Sequence, residues 1–233
     1  RAGEQLARDM EDLDDQINRR EEWMIAQALT TGQVNVVGEG IDDVVDFQMD
    51  DSHIITEGTA WTDPAGTPIA NLRKYKRLIA KDSGRTGSTA VLSVEAADAL
   101  IDSEDTQKKM DTRRIDLGMI QPDQLPDGVT YLGYLRDPGM DLFVYEEWYI
   151  DAAGDEQPMI PAGGVIVGPT SSRCTMLYGA IQDMEAIEGG MFDVARYPKS
   201  WVTKDPSVRW LMMQAAPLPG FHEPGAFVFA TVA

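Results

Sequence analysis

The first thirty residues carry apolar side chains at a helical spacing. These side chains recur about every 3.6 residues, with charged residues between them: Leu6, Met10, Leu13, Ile17, Met24 and Ala28. Thr30, Thr31 and Gly32 end the pattern. The spacing predicts a helix over residues 4–30, which is longer than the helices of most globular domains.

Two short segments with the period of a β-strand follow the helix. Gln33 to Val37 is the first, and in Val44 to Asp50 apolar and polar positions alternate strictly. Such alternation is typical of a strand with one buried face. Gly38, Glu39 and Gly40 provide the turn between them. The pattern therefore predicts a β-hairpin over residues 33–50.

Helices precede strands in the remainder of the chain. Thr67 and Pro68 mark a helix start, Ser93 begins a second helix that runs through Leu100, and a third is expected over 104–114. Residues 121–128, rich in Pro, Asp and Gly, are expected to form a loop. The strands are expected at 130–134, 142–150, 164–167, 175–181, 208–216 and 227–232, with a hairpin turn at Asp151–Gly154. This order indicates an α+β fold.

Charge is abundant and unevenly placed. Twenty Lys and Arg against 39 Asp and Glu give a net charge of −19, which disfavours non-specific nucleic-acid binding. Residues 21–72 and 137–172 contain no Lys or Arg. A basic patch lies between them: Arg73, Lys74, Lys76, Arg77, Lys81 and Arg85. Blocks of opposite sign either dock neighbouring copies of the chain or neutralise one another within the fold, and the sequence leaves both open.

Candidate chemistry is sparse. One cysteine, Cys174, and two histidines give no metal or cofactor motif, and Cys174 is expected in the core. The remaining enzymatic interpretation is an acid–base or cation-dependent hydrolase, which would use Asp42, Asp43, Asp46 and His53. We expect no catalytic, metal or cofactor site. Tryptophans outside the long helix are candidates for protein–protein contacts, with ordinary core packing as the alternative for most of them.

Three runs of residues resemble one family. Ala195-Arg-Tyr-Pro-Lys-Ser-Trp-Val-Thr-Lys-Asp-Pro206, continuing through Met213-Gln-Ala-Ala-Pro217, resembles the closing segment of the lambda-type phage capsid E family. Met110-Asp-Thr-Arg-Arg114 and Tyr178-Gly-Ala-Ile-Gln-Asp183 resemble family segments in the same order, although Ala180 replaces a family cysteine. The resemblance covers essentially the whole chain.

The resemblance implies the tailed-phage major capsid fold. Residues 1–57 and 193–233 would form a peripheral domain with the helix 4–30 as its spine, and 58–192 an inserted axial domain. The family also has an N-terminal arm and an extended loop before the spine helix, which we expect to be missing from this sequence.

The implied function is structural. Subunits would assemble through pentamers and hexamers into an icosahedral virion shell, built in the bacterial cytoplasm, which encloses double-stranded DNA without reading its sequence. Implied partners are other copies, scaffold, maturation protease, portal and decoration protein, without a membrane. A cellular compartment shell with the same fold is the alternative. The expected interface residues are Arg73, Lys74, Arg77, Arg113, Arg114, Arg196, Tyr197 and Trp201.

Overall fold

A computed structural model of the chain describes residues 2–38, 41–110, 118–124, 128–151, 153–190 and 193–232. The helices are α1 (Ala2–Thr31), α2 (Pro68–Ser83), α3 (Val94–Asp102), α4 (Glu104–Met110) and α5 (Met184–Glu188). Short 3₁₀ turns lie at Asp51–His53 and Pro224–Ala226. The combination of helices and sheets confirms the α+β class.

Fifteen strands lie in the described part of the chain. They are β1 (Gln33–Gly38), β2 (Ile41–Asp46), β3 (Ile54–Thr56), β4 (Thr89–Leu92), β5 (Gly118–Gln124), β6 (Val129–Leu135), β7 (Met140–Tyr145), β8 (Trp148–Ile150), β9 (Glu156–Pro158), β10 (Gly164–Gly168), β11 (Cys174–Tyr178), β12 (Tyr197–Thr203), β13 (Val208–Gln214), β14 (Pro217–Phe221) and β15 (Val228–Thr231).

Seven strands form one mixed sheet in the order β3-β15-β10-β4-β7-β6-β5. The pairs β3–β15 and β4–β7 are parallel, and the other neighbours are antiparallel. The remaining strands form two-stranded pairs: β1–β2, β8–β9, β11–β14 and β12–β13.

The chain divides into two compact units. The small unit comprises Arg1–Ile25 and Cys174–Gly220, and the large unit comprises Ala26–Arg173 and Phe221–Ala233. Residues 33–57, which the resemblance assigns to the peripheral domain, therefore belong to the large unit. Peripheral and axial describe positions in an assembled shell, so that assignment stays a prediction.

The core of the large unit lies between the sheet and one layer of helices. Twenty buried side chains form this cluster, and α2 contributes Ile69, Leu72, Tyr75 and Ile79 to it. The opposite face of the sheet carries a smaller cluster of Ile160, Ile166 and Phe229. These α2 residues recur at helical spacing and form the apolar face of an amphipathic helix, and most of the other α2 side chains are polar.

Local signals account for several helix ends, although the Thr67 side chain, expected to cap α2, makes no capping hydrogen bond. Helix α2 begins at Pro68 and ends at Ser83, and the next residue, Gly84, has a φ of 67°, the left-handed conformation that glycine adopts without strain. The Ser93 hydroxyl accepts a hydrogen bond from the Ala96 amide and caps α3. Helix α1 has 30 residues, which corresponds to about 45 Å, and the long-helix prediction is confirmed.

Several strand predictions need correction. The hairpin at 33–50 is present, but its second strand is Ile41–Asp46 because the chain leaves the pairing before Gln48, whose φ is 55°. Residues 118–124 form β5 where a loop was expected from 121, because a bulge between Ile120 and Asp123 accommodates Pro122. The strand expected over 142–150 is divided into β7 and β8.

Two strands near the C-terminus, β12 and β14, were not expected from the sequence. Tyr197–Thr203 forms β12, which pairs with β13 along its whole length, although no strand was expected there. Pro217–Phe221 forms β14 despite its two prolines, because a strand in a two-stranded pair has one side on which no amide is needed.

Candidate interaction surfaces

The basic residues of α2 are largely paired within the chain. The Arg73 guanidinium donates to both carboxylate oxygens of Asp137, with an Nε–Oδ1 distance of 2.7 Å. Lys74 Nζ lies 2.9 Å from Glu57 Oε1, and Lys76 Nζ donates to the backbone carbonyl of Pro138 at 2.6 Å. Neutralisation within the fold, one of the two alternatives left open by the sequence, therefore accounts for these three residues.

Glu57 also connects α2 to the core. Its Oε1 accepts a hydrogen bond from the Tyr75 hydroxyl at 2.9 Å, and burial raises the pKa of Tyr75 well above its usual value. Arg77 is exposed and, unlike Arg73 and Lys74, has no acidic partner among the described residues. Arg77 is thus the member of the predicted set on α2 that remains available to another molecule.

Arg196 is a centre of hydrogen bonding in the small unit. Its Nε donates to Asp14 Oδ1 at 2.7 Å, its Nη1 to Glu21 Oε1 at 2.7 Å and its Nη2 to Asn18 Oδ1 at 2.6 Å. The hydrogen bond with Glu21 raises the pKa of Arg196 above its already high value. All three acceptors lie on α1, so Arg196 fixes the start of β12 against the long helix.

The residue after Arg196 is buried. Tyr197 packs with Ile181 and Ala186, and burial raises the pKa of its hydroxyl. Nearby, Lys199 Nζ lies 2.8 Å from Asp183 Oδ2, and this hydrogen bond lowers the pKa of Asp183. Asp183 also accepts from two amides at the start of α5. Arg196, Tyr197 and Lys199 therefore have structural roles within the chain.

Trp201 is the predicted residue that lies most clearly on the surface. It is paired across the β12–β13 ribbon with Trp210, and their rings stack at a centroid distance of 6.4 Å. Trp201 is 41% and Trp210 49% exposed, and Val202 and Val208 beside them are also exposed. Trp201, Trp210 and Val208 lie on one face of the ribbon, whereas Val202 is on the other. These three residues form an apolar surface, which we name the tryptophan patch.

Two predicted residues cannot be placed. Arg113 and Arg114 lie outside the described residues.

Of the large apolar side chains that are exposed in the described part of the chain, more than half belong to the small unit, which is under a third of the sequence. Sequence reasoning singled out only the tryptophans among them and missed the other six, including Leu177, Met184 and Ile187, because their spacing is ordinary for core residues.

The residues of the hydrolase interpretation do not form a reactive group. Asp43 and Asp46 are tied to neighbouring amides on or beside β2. His53 is 1% exposed, with Nδ1 2.6 Å from the Phe227 carbonyl oxygen and Nε2 3.1 Å from Asp82 Oδ2. In the part of the chain that the structure describes, no cluster of His, Cys, Asp and Glu could hold a metal ion.

Cys174 corrects another expectation, because it is exposed and not part of the core. It begins β11 at the boundary of the small unit. Among the described helices, none is both long and apolar enough to cross a membrane.

The small unit exposes a large share of the apolar side chains that are exposed in the described part of the chain. Where such side chains form a contiguous patch, as at Trp201 and Trp210, they are candidates for contacts with another molecule.

Comparisons with known proteins agree. A family model described as phage major capsid protein E matches residues 1–232. Over 98% of its length the chain is 28% identical to the major capsid protein of Escherichia phage lambda, of which it covers 67%. Over 54% of its length it is 34% identical to the major capsid protein of Enterobacteria phage P21, of which it covers 37%.

A solved structure also matches. A capsid protein of a prophage of Escherichia coli CFT073 superposes with a TM-score of 0.83 at 25% identity, over 97% of this chain and 66% of that one. The chain belongs to the phage major capsid protein E family. Its relatives are structural components of phage capsids and not enzymes. The chain spans about two thirds of the length of the lambda protein.

Proposed function

We propose that copies of this chain assemble through pentamers and hexamers into an icosahedral shell that encloses double-stranded DNA. The observation that carries the proposal is the construction of the small unit. Its described apolar cluster is small and consists of Ile181, Ala186 and Tyr197, with Val194 packed against them. Isolated two-stranded ribbons are marginal in water, so neighbouring copies would stabilise this unit.

The tryptophan patch is the surface we assign to a neighbouring copy. Tryptophan is enriched in the well-packed centres of protein–protein interfaces. Burying the two half-exposed indoles together with Val208 would remove a continuous apolar surface from water. Trp201 therefore remains in the predicted interface.

Binding of other phage proteins to this subunit is also part of the proposal. Scaffold, maturation protease, portal and decoration protein would meet this subunit at surfaces left outside the contacts between copies. The resemblance supports these partners, and their binding is tested by adding each protein separately to assembled particles and measuring co-sedimentation.

The test of the patch uses the complete gene product that contains this sequence. Trp201→Ser combined with Trp210→Ser should abolish or strongly reduce particles seen by negative-stain microscopy, because the apolar surface is lost. Val37→Ser, an exposed valine of β1 in the large unit, is the matched control and should assemble normally. Particles at wild-type yield from the double variant would contradict the assignment. Protein cargo in place of DNA would favour the compartment-shell alternative.

A further inference from the structure

The large unit carries an exposed hairpin that contributes little to its core. Strands β8 and β9 pair only with each other, in the register Trp148↔Pro158 and Ile150↔Glu156. These four residues lie on one face of the hairpin because paired positions share a face. Trp148 is 50% and Ile150 71% exposed. A two-stranded hairpin with uncovered apolar residues on one face requires another surface for stability.

The hairpin is acidic as well as apolar. Glu146, Asp155 and Glu156 are exposed along it, and no Lys or Arg occurs from residue 137 to 172. Asp151 shapes the turn by accepting hydrogen bonds from the amides of Ala153 and Asp155. We name Glu146 to Pro158 the acidic ribbon. A partner surface should therefore be basic and should also offer apolar groups.

Helix α2 of the same unit provides such a surface. Lys74, Arg77 and Lys81 are spaced three and four residues apart, so they lie on one face of the helix, and all three are exposed. Lys74 contacts Glu57 and Lys81 lies 3.8 Å from Asp82, whereas Arg77 has no acidic partner in the described part of the chain. We name these three residues the basic stripe. Their aliphatic stems can cover apolar side chains while their charges meet carboxylates.

The two surfaces belong to opposite sides of the sheet. Alternation along β10 places Val165 and Val167 in the helix-covered core and Ile166 in the opposite cluster. The acidic ribbon is anchored on the opposite side, because Tyr145 before it and Ile160 after it pack in that cluster. Helix α2 packs on the helix-covered side.

We propose that the acidic ribbon of one copy docks on the basic stripe of the next copy. The proposal rests on the proposed shell function and names one contact through which it operates. Two different surfaces on each subunit produce a head-to-tail contact, which closes into rings when the rotation between copies is suitable. In this contact Arg77 pairs with Glu156, and its aliphatic stem covers the Trp148 indole on the same face of the hairpin.

Charge reversal with the complete gene product tests the pairing. Arg77→Glu places like charges in every contact and should weaken self-association by about tenfold or more, and Glu156→Lys should do the same. An equal mixture of the two variants should recover association, because the ribbon of the Glu156→Lys variant can face the stripe of the Arg77→Glu variant in alternating copies. Glu95→Lys, at an exposed position of α3, is the matched charge control and should associate as wild type. Failure of the mixture to recover association overturns the pairing.

Cross-linking distinguishes this contact from the shell function. In a Cys174→Ser background, copies with Arg77→Cys are mixed with copies with Glu156→Cys and oxidised. Dimers linked between these positions should form about tenfold faster than in a control mixture of Arg77→Cys with Glu95→Cys. Particles that assemble without the specific cross-link would overturn the docking contact and leave the shell function intact. If neither particles nor cross-links form at any concentration, both the docking contact and the shell function are overturned.

Discussion

Arg196→Ala tests whether this residue holds the small unit together. The side chain is 23% exposed and makes three hydrogen bonds of 2.6–2.7 Å to Asp14, Asn18 and Glu21. A net hydrogen bond to a charged group is worth about 1.5–3 kcal/mol when buried and less when exposed. Allowing for the exposure of Asp14, we expect a loss of about 3 kcal/mol in the local stability of the small unit.

Hydrogen exchange measures that loss where it occurs. A loss of about 3 kcal/mol increases the open population, and therefore the exchange rate, roughly 100-fold. The increase should appear in peptides from residues 8–22 and 195–203, while peptides from β10 in the large unit should keep their wild-type rates. Arg196→Lys keeps the charge but loses the planar fork, so its rates should lie between those of wild type and Arg196→Ala.

A matched control separates the hydrogen bonds from the loss of an arginine. Arg209→Ala removes an exposed arginine of β13 that has no acidic partner in the described part of the chain, and should leave exchange unchanged. A change of less than about threefold in these peptides on Arg196→Ala would refute the stabilising role of Arg196, since it corresponds to under about 1 kcal/mol.

Two other internal contacts give further predictions. His53→Ala removes the buried ring that lies between the Phe227 carbonyl oxygen and Asp82, and should lower the free energy of unfolding by about 3 kcal/mol in urea titrations. His222→Ala, at an exposed position, should cost much less, and equal costs would contradict the role of His53. The pKa of Asp183 is lowered below its ordinary 3.8 in the folded state, so its stabilising effect is complete above that pH and is lost as the pH falls through the lowered pKa. The stability difference between wild type and Asp183→Asn should therefore shrink from pH 6 to pH 2, and a difference independent of pH would show that the charge is unimportant.

The sequence predicted those elements whose signals are local. The long helix, α2 and the cap at Ser93 depend on spacing and on one or two residues at their ends. Strands β12 and β14 were missed because prolines and charged residues hide their alternation, and each depends on a partner strand for its backbone hydrogen bonds.

The candidate surfaces could be predicted only in part. The basic character of α2 was visible, but the partner of Arg73 is Asp137, 64 residues away, and such a pairing follows from the tertiary fold. Arg196 likewise meets acceptors on α1 that are at least 175 residues earlier in the chain. The exposure of Trp201 agrees with its predicted role as a contact residue, although the contact itself stays a prediction.

Assembly of the complete gene product tests the central proposal most directly. Light-scattering mass and negative-stain microscopy should be recorded over a range of protein concentrations, with and without a cognate scaffold protein. We predict pentamers, hexamers or closed shells. A protein that stays monomeric at high concentration in both conditions would contradict the proposal that this chain is the repeating subunit of a capsid.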